Sequence, residues 1–170
     1  CAPGTRERIW DEIKEWLSPK TSSGERILWI TGIAGSGKST LSATVVDNLR
    51  TKGTPVAAQF FISRNSLETT NPDKIIPTIA QQLSEFSPAA AHVVHNALEP
   101  GFISSRDEQV EKLLIAPIRE LSEFPGVVVI VIDALDELQD ARRSVEEILS
   151  AIALSGLPQN ARFIITSRPE

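Results

Sequence analysis

Cysteine occurs once, at Cys1, so no disulfide can form within the chain, and the sequence fits a reducing, cytoplasmic compartment. No apolar run approaches the ~20 residues that a membrane-spanning helix needs. The longest, Val127 to Ile132, has the length of a buried strand. Lys and Arg are not clustered, and 17 of them face 22 Asp and Glu, for a net charge of −5. That balance excludes the basic footprint of a nucleic-acid-binding surface. The first residues carry Arg6, Glu7, Arg8, Asp11 and Glu12, so they do not themselves read as a secretory signal peptide. There is no G-x-S-x-G, hence no nucleophile elbow, and there is no internal repeat or low-complexity tract. The sequence does not begin with Met and stops just after a strand-like run, so it reads as a piece of a longer, multidomain protein.

What is present suits one domain: 170 residues, 41% hydrophobic and 23% charged, enough to build a core. One stretch organises it. Gly32-Ile33-Ala34-Gly35-Ser36-Gly37-Lys38-Ser39-Thr40 reads G-x-x-x-x-G-K-S, the phosphate-binding loop pattern. Gly32, Gly35 and Gly37 let the backbone turn tightly and bring its N–H groups, Ser36 included, close to phosphate oxygens. Lys38 supplies an ammonium for β- and γ-phosphates, and the Ser39 hydroxyl is a ligand for Mg²⁺. Thr40 and the residues after it open a helix whose positive end favours anions. The flanks agree with the pattern. Arg26 to Thr31 is an apolar run of strand formers, and Leu41, Val45 and Leu49 recur at helical spacing.

The rest of the chain alternates strand and helix patterns. A helix is predicted over 5–17, with Ile9, Ile13, Trp16 and Leu17 on one face, then a loop over 18–24. A second strand is predicted over 56–62, followed by a polar surface loop over 63–71. Asn71-Pro72 and Ser87-Pro88 each begin a helix, the second running to about Leu98 with Val93, Val94, Ala97 and Leu98 inward. One helix is predicted from Asp107 to Leu121, kinked at Pro117. Val127–Ile132, six unbroken β-branched residues, reads as a strand buried on both faces. A helix over 141–154, with Val145, Ile148, Leu149 and Ile152 inward, leads to a last strand over 162–166. This is a doubly wound α/β domain, three layers with a mostly parallel sheet and helices on both faces. Its ligand belongs at the carboxyl ends of the strands.

Asp133 ends the most hydrophobic strand, so it shares the loop's sheet edge and can hold Mg²⁺ directly or through water. Asp136 and Glu137 follow it closely, and three acids in five residues call for a cation or water. Arg168, after the last strand, reaches the same edge, where it can sense a γ-phosphate or stabilise charge in transfer. Arg64, just past the second strand, is given no role. His92 and His95 share a helix face without further ligands and read as solvated.

The opening Cys1-x-Pro3-Gly4-Thr5-Arg6, the W-I-T-G-I-A-G-S-G-K-S-T core, F-F-I-S-R at 60–64, V-I-D-A-L-D-E at 131–137 and I-T-S-R-P-E at 165–170 together resemble the NACHT NTPase domain of fungal NOD-like receptor proteins, in the STAND class of P-loop ATPases. The likeness spans nearly the whole chain. It implies one NACHT-type domain over 1–170, with an N-terminal helix at 5–17 and a core at 26–170. It implies phosphates and Mg²⁺ at Lys38 and Ser39, the Walker B acid at Asp133, and the sensor-1 residue at Arg168. It also implies the strand order 1-4-3-2 and places Pro3 to Arg6 near the base or ribose. Such domains are switches, closed with ADP and open and oligomeric with ATP, that act in defence or cell death through effector and sensor domains elsewhere in the protein. One departure is Ala134, which stands where many related ATPases keep a catalytic Glu directly after the Walker B Asp. Which of Asp136 and Glu137 orients water stays open. A second departure is that the helical and winged-helix parts that close over the nucleotide in the family are absent from these 170 residues.

The sequence therefore predicts Mg²⁺ with ATP or ADP, GTP being the other base. ATP is preferred because no [NT]-K-x-D guanine signature occurs: Thr51-Lys52-Gly53-Thr54 lacks the Asp. Two rival readings are a P-loop kinase, which needs an acceptor pocket, and a scaffold that binds nucleotide without cleaving it.

Overall fold

The computed structural model of the chain describes residues 7–18, 25–154 and 156–169, apart from the side chains of residues 141, 145 and 154. Four strands form one parallel sheet: β1 (Ile27–Thr31), β2 (Val56–Phe61), β3 (Val128–Asp133) and β4 (Ala161–Ser167), in the order β1-β4-β3-β2. This is the expected order and fold class. Every residue of β3 and β4 is buried, whereas the edge strands β1 and β2 keep partly exposed positions.

Side-chain alternation sorts the sheet into two faces. Val129, Val131 and Ile164 pack with Leu41, Val45 and Leu49 of α2 (Lys38–Thr51) and with Ile13 and Trp16 of α1 (Glu7–Leu17). Val128, Ile130, Ile132, Phe163 and Ile165 point the other way. They meet α4 (Pro72–Phe86), α5 (Pro88–Ala97), α7 (Ala116–Arg119) and α8 (Ala141–Leu154), with short helices α3 (Leu67–Thr70) and α6 (Arg106–Val110) nearby. On the first face, the α1 side chain Trp16 donates its Nε1–H to the Glu25 carbonyl (3.0 Å), as does Arg162 Nη1 (2.7 Å), whose guanidinium lies 5.6 Å from the Trp16 ring centroid. Burial, then the neighbouring Arg26, pulls that guanidinium below its usual pKa.

The caps work as their sequences suggest. Asn71 Oδ1 accepts from Asp73 N (2.9 Å) with Pro72 in the first turn of α4, and Ser87 Oγ accepts from Ala90 N (3.2 Å) to start α5. Helix α2 starts at Lys38, two residues before the expected Thr40, and the last strand gains Ala161 and Ser167 at its ends. Ile148 and Ile152 of α8 are buried, as expected; the Val145 side chain lies outside the described residues, as does the predicted start of α1 at residue 5.

Three expectations are corrected. The 63–71 segment is not all loop: Ser66 caps the short α3, its Oγ accepting from Thr69 N (3.4 Å), and Thr70 is buried. The 107–121 helix is not one kinked α-helix. It runs from α6 through a π turn over Glu111–Ile115 into α7 and a 3₁₀ turn over Glu120–Glu123. Pro117 lacks an N–H, and its ring crowds the carbonyl four residues back, so the wider turn before it relieves the clash. Leu98, expected inward, is 64% exposed because α5 has already ended at Ala97. Among the described residues, no helix is long and apolar enough to cross a membrane.

Phe163, wholly buried in the core on one face of the sheet, should be far more sensitive to truncation than Leu98. Phe163→Ala is expected to cost about 3–5 kcal/mol of unfolding free energy. Leu98→Ala should stay within about 0.5 kcal/mol. Urea denaturation of both variants checks the contrast.

Candidate functional site

The carboxyl ends of β1, β4 and β3 meet at one edge. The loop leaving β1 is tied there, Gly32 N donating to the Ser167 carbonyl of β4 (3.3 Å). At position 32 an added Cβ would stand 2.7 Å from Ser36 Oγ, so a larger residue there would have to displace the Ser36 hydroxyl. Gly35 (φ 76°) and Gly37 (φ 77°) hold left-handed conformations that fold the loop back onto α2. Ser36 N closes the turn on the Ile33 carbonyl (3.2 Å).

Gly37 is the N-cap of α2, with no side-chain cap and no acid in the first turn. The positive end of a fourteen-residue helix thus opens at the loop. The Lys38 ammonium bends back over it, donating to the carbonyls of Gly32 and of Ile33 (the latter 3.1 Å). An ammonium has three donors, so one remains for another acceptor.

A cleft of about 230 Å³ lies in front of this loop. Gly35, Lys38, Ser39 and Thr40 line one side; Asp136, Glu137 and Arg168 line the other. The opposite wall is built by a turn at the end of β3. Ala134 adopts a left-handed conformation (φ 60°, ψ 44°), rare for a residue with a Cβ, and starts the 3₁₀ turn Leu135–Glu137. That reversal brings both acids over the cleft. Arg168 grips Asp136 twice, its N–H on Oδ1 (2.9 Å) and its Nε on Oδ2 (3.1 Å). Arg64 grips Glu137 in the same fashion, its N–H on Oε2 (3.0 Å) and its Nε on Oε1 (3.4 Å). Arg64, given no role from the sequence, therefore holds one wall of the cleft without lining it.

Asp133 is placed differently from the other acids. It is 1% exposed and sits beneath the cleft rather than in its lining. One carboxylate oxygen, Oδ1, accepts from the Thr166 hydroxyl at 2.6 Å. Sequence reasoning missed Thr166 as a site residue. The signal lies in the strand register: Ile132 pairs with Ile165, so Asp133 and Thr166 stand level on adjacent strands.

Ser39 and Thr40 hydroxyls and the three carboxylates are hard oxygen donors, the set that suits Mg²⁺. Among the described residues, no group of three or more His, Cys, Asp and Glu could hold a metal unaided. Mg²⁺ generally keeps several waters and takes phosphate oxygens for part of its shell, so these residues would supply only some of its ligands. His92 and His95 are exposed on α5, and Asn96 is the neighbour of the His92 ring (3.2 Å). Residues 3–6, expected near a base or ribose, lie outside the described residues.

The loop's glycines can be tested without ligand. A Cβ at Gly35 meets nothing within 4 Å, so the only penalty of Gly35→Ala is its positive φ, about 1–2 kcal/mol. Gly126→Ala, equally uncrowded and without a positive φ, should leave stability within about 1 kcal/mol of the parent or raise it. Chemical denaturation distinguishes the two.

Comparisons with known proteins agree with this architecture. No curated protein matches the chain. Among solved structures, Cdc6p of Pyrobaculum aerophilum superposes with a TM-score of 0.57 at 20% identity, covering 97% of this chain and 39% of Cdc6p. A Walker-type ATPase of Pyrococcus abyssi gives a TM-score of 0.56 at 18% identity, covering 95% of this chain and 44% of that one. The chain thus spans less than half the length of either protein, and at these identities the likeness concerns the fold. At the level of sequence, the model of the nephrocystin 3 N-terminal family matches residues 4–168, and the chain belongs to that family.

Proposed function

We propose that the chain is the nucleotide-binding core of a signalling NTPase, binding ATP, or GTP as the alternative, with Mg²⁺ and hydrolysing it slowly. One observation carries this reading: the left-handed glycine loop and the uncapped start of α2 face Asp136, Glu137 and Arg168 across a single cleft. Gly32, Gly35, Ser36, Gly37, Lys38, Ser39 and Thr40 would cradle the phosphates. Ser39, with Asp133 behind it, would hold Mg²⁺, which neutralises phosphate charge when bound. The fold shared with a protein titled a Walker-type ATPase supports the same assignment.

The resemblance to NACHT domains supports a switch within a larger multidomain protein, in which residues 1–170 form one domain and the bound nucleotide controls self-association in defence or cell-death signalling. Arg168 suits the sensor. Its Nε pairs with the Asp136 carboxylate (3.1 Å) at a partly exposed position on the cleft wall, so a γ-phosphate in the cleft would compete with Asp136 for the guanidinium.

Binding without cleavage is the second reading. It is favoured by the engagement of both cleft acids with arginines, since neither Asp136 nor Glu137 has its carboxylate uncommitted. Either acid must change partners before it can orient water, and imperfect positioning costs orders of magnitude in rate.

Two outcomes are expected. Lys38→Ala should weaken Mg²⁺–ATP binding about tenfold or more by calorimetry, because it removes a charge-assisted contact; equal affinities would sink the assignment. Single-turnover hydrolysis should run well below the ~10 s⁻¹ typical of enzymes. Glu137→Gln or Asp136→Asn should slow it further with affinity nearly intact; rapid cleavage by the parent, or an undiminished rate in the double variant, would rule out a slow switch.

A further inference from the structure

We propose that Thr166 is a positioning residue that orients the Asp133 carboxylate for a Mg²⁺-bound nucleotide, an inference that rests on the nucleotide-binding reading above. The hydroxyl has one proton and lone pairs to accept with, and both capacities are used. Its proton goes to Asp133 Oδ1 (2.6 Å), and its oxygen accepts the Ala134 N–H (2.9 Å). Thr166 is 0% exposed, Asp133 1% and Ala134 7%, so water cannot substitute for these bonds.

Two consequences follow for the cleft. First, Oδ1 is committed to the hydroxyl, which restrains the carboxylate's rotation and leaves Oδ2 as the oxygen that the hydroxyl does not hold, the one a cation or its water would use. Buried partners that orient a metal-binding carboxylate act in this way, and losing one typically costs 10–100-fold in metal affinity. Second, the Ala134 N–H is held where the chain takes its left-handed turn, and that turn carries Asp136 and Glu137 to the cleft wall. Two residues on, Arg168 of the same segment holds Asp136. The end of β4 thus fixes the acidic turn at both its first acid and its second.

Five proteins decide the matter by calorimetry with ATP, in Mg²⁺ and in EDTA: the parent chain, Thr166→Val, Thr166→Ser, Asp133→Asn and the double variant Asp133→Asn/Thr166→Val, the last read against Asp133→Asn. Thr166→Val keeps the side-chain shape and removes the hydroxyl; it should lose about tenfold or more of the affinity measured in Mg²⁺ while staying within about twofold in EDTA. Thr166→Ser should restore the Mg²⁺ advantage. In the Asp133→Asn background, Thr166→Val should add no further loss, because the residue acts through that carboxylate. Equal losses in Mg²⁺ and EDTA, a parent-like Thr166→Val, or a Thr166→Ser as impaired as Thr166→Val would each overturn the proposal. Should Thr166→Val not fold, Thr166→Ala carries the same comparison, and failure of both to fold would assign Thr166 to structure alone. A parent chain with no Mg²⁺-dependent ATP binding defeats the underlying reading itself; a parent that binds beside an unaffected Thr166→Val defeats only the positioning role.

Discussion

Strand β4 hydrogen-bonds along both of its edges, to β1 from Ile27↔Phe163 to Thr31↔Ser167 and to β3 from Val128↔Ala161 to Ile132↔Ile165. This double pairing sets the distance between the strand that carries the glycine loop and the strand that carries the acids. With neighbouring strands ~4.8 Å apart, the two lie about 10 Å from one another, room for phosphates and a hydrated ion between them. The side chains at the end of β4 serve both neighbours. Thr166 reaches toward β3, while Ser167 Oγ accepts the indole N–H of Trp29 on β1 (2.7 Å) and its carbonyl accepts from Gly32. The two walls of the cleft are therefore fastened to one strand.

That strand is fully buried, and the burial supports a strained edge. Ala134 and the loop glycines occupy left-handed conformations that each cost a residue with a Cβ roughly 1–2 kcal/mol. Against this stand the apolar side chains of β3 and β4, each contributing about 1.5–3 kcal/mol on full burial. The rigid part of the site is thus the sheet and the buried Asp133–Thr166 pair. The exchangeable part is the outer layer, where Lys38 rests on its own loop and two arginines rest on two acids at partly exposed positions. Partly solvated pairs above a buried platform leave this outer layer free to change partners.

Much of this was legible in the sequence because local chemistry and tertiary demand coincide there. The G-x-x-x-x-G-K-S spacing has one conformation available to it, the β-branched run before Asp133 has one comfortable environment, and Asn71-Pro72 and Ser87-Pro88 cap helices wherever they stand. The strand order came through the family resemblance, not from periodicity. What stayed hidden depends on neighbours remote in the chain. The Arg64–Glu137 grip spans 73 residues and the Thr166–Asp133 bond 33. The π turn before Pro117 reflects relief of a clash that the apolar spacing does not encode. Leu98 keeps the right spacing for the core but falls just beyond the helix that would have carried it inward.

The central claim is that the cleft recognises the β- and γ-phosphates of a nucleotide together with Mg²⁺. Thermal unfolding of the chain in matched concentrations of ATP, ADP and AMP, each with Mg²⁺, tests it most directly. A ligand that binds only the folded state at about a hundred times its Kd stabilises by about 2.7 kcal/mol. Clear stabilisation is expected from ATP and ADP and none from AMP, which lacks the β- and γ-phosphates. Equal shifts with AMP and ATP, or none with any of the three, would contradict it.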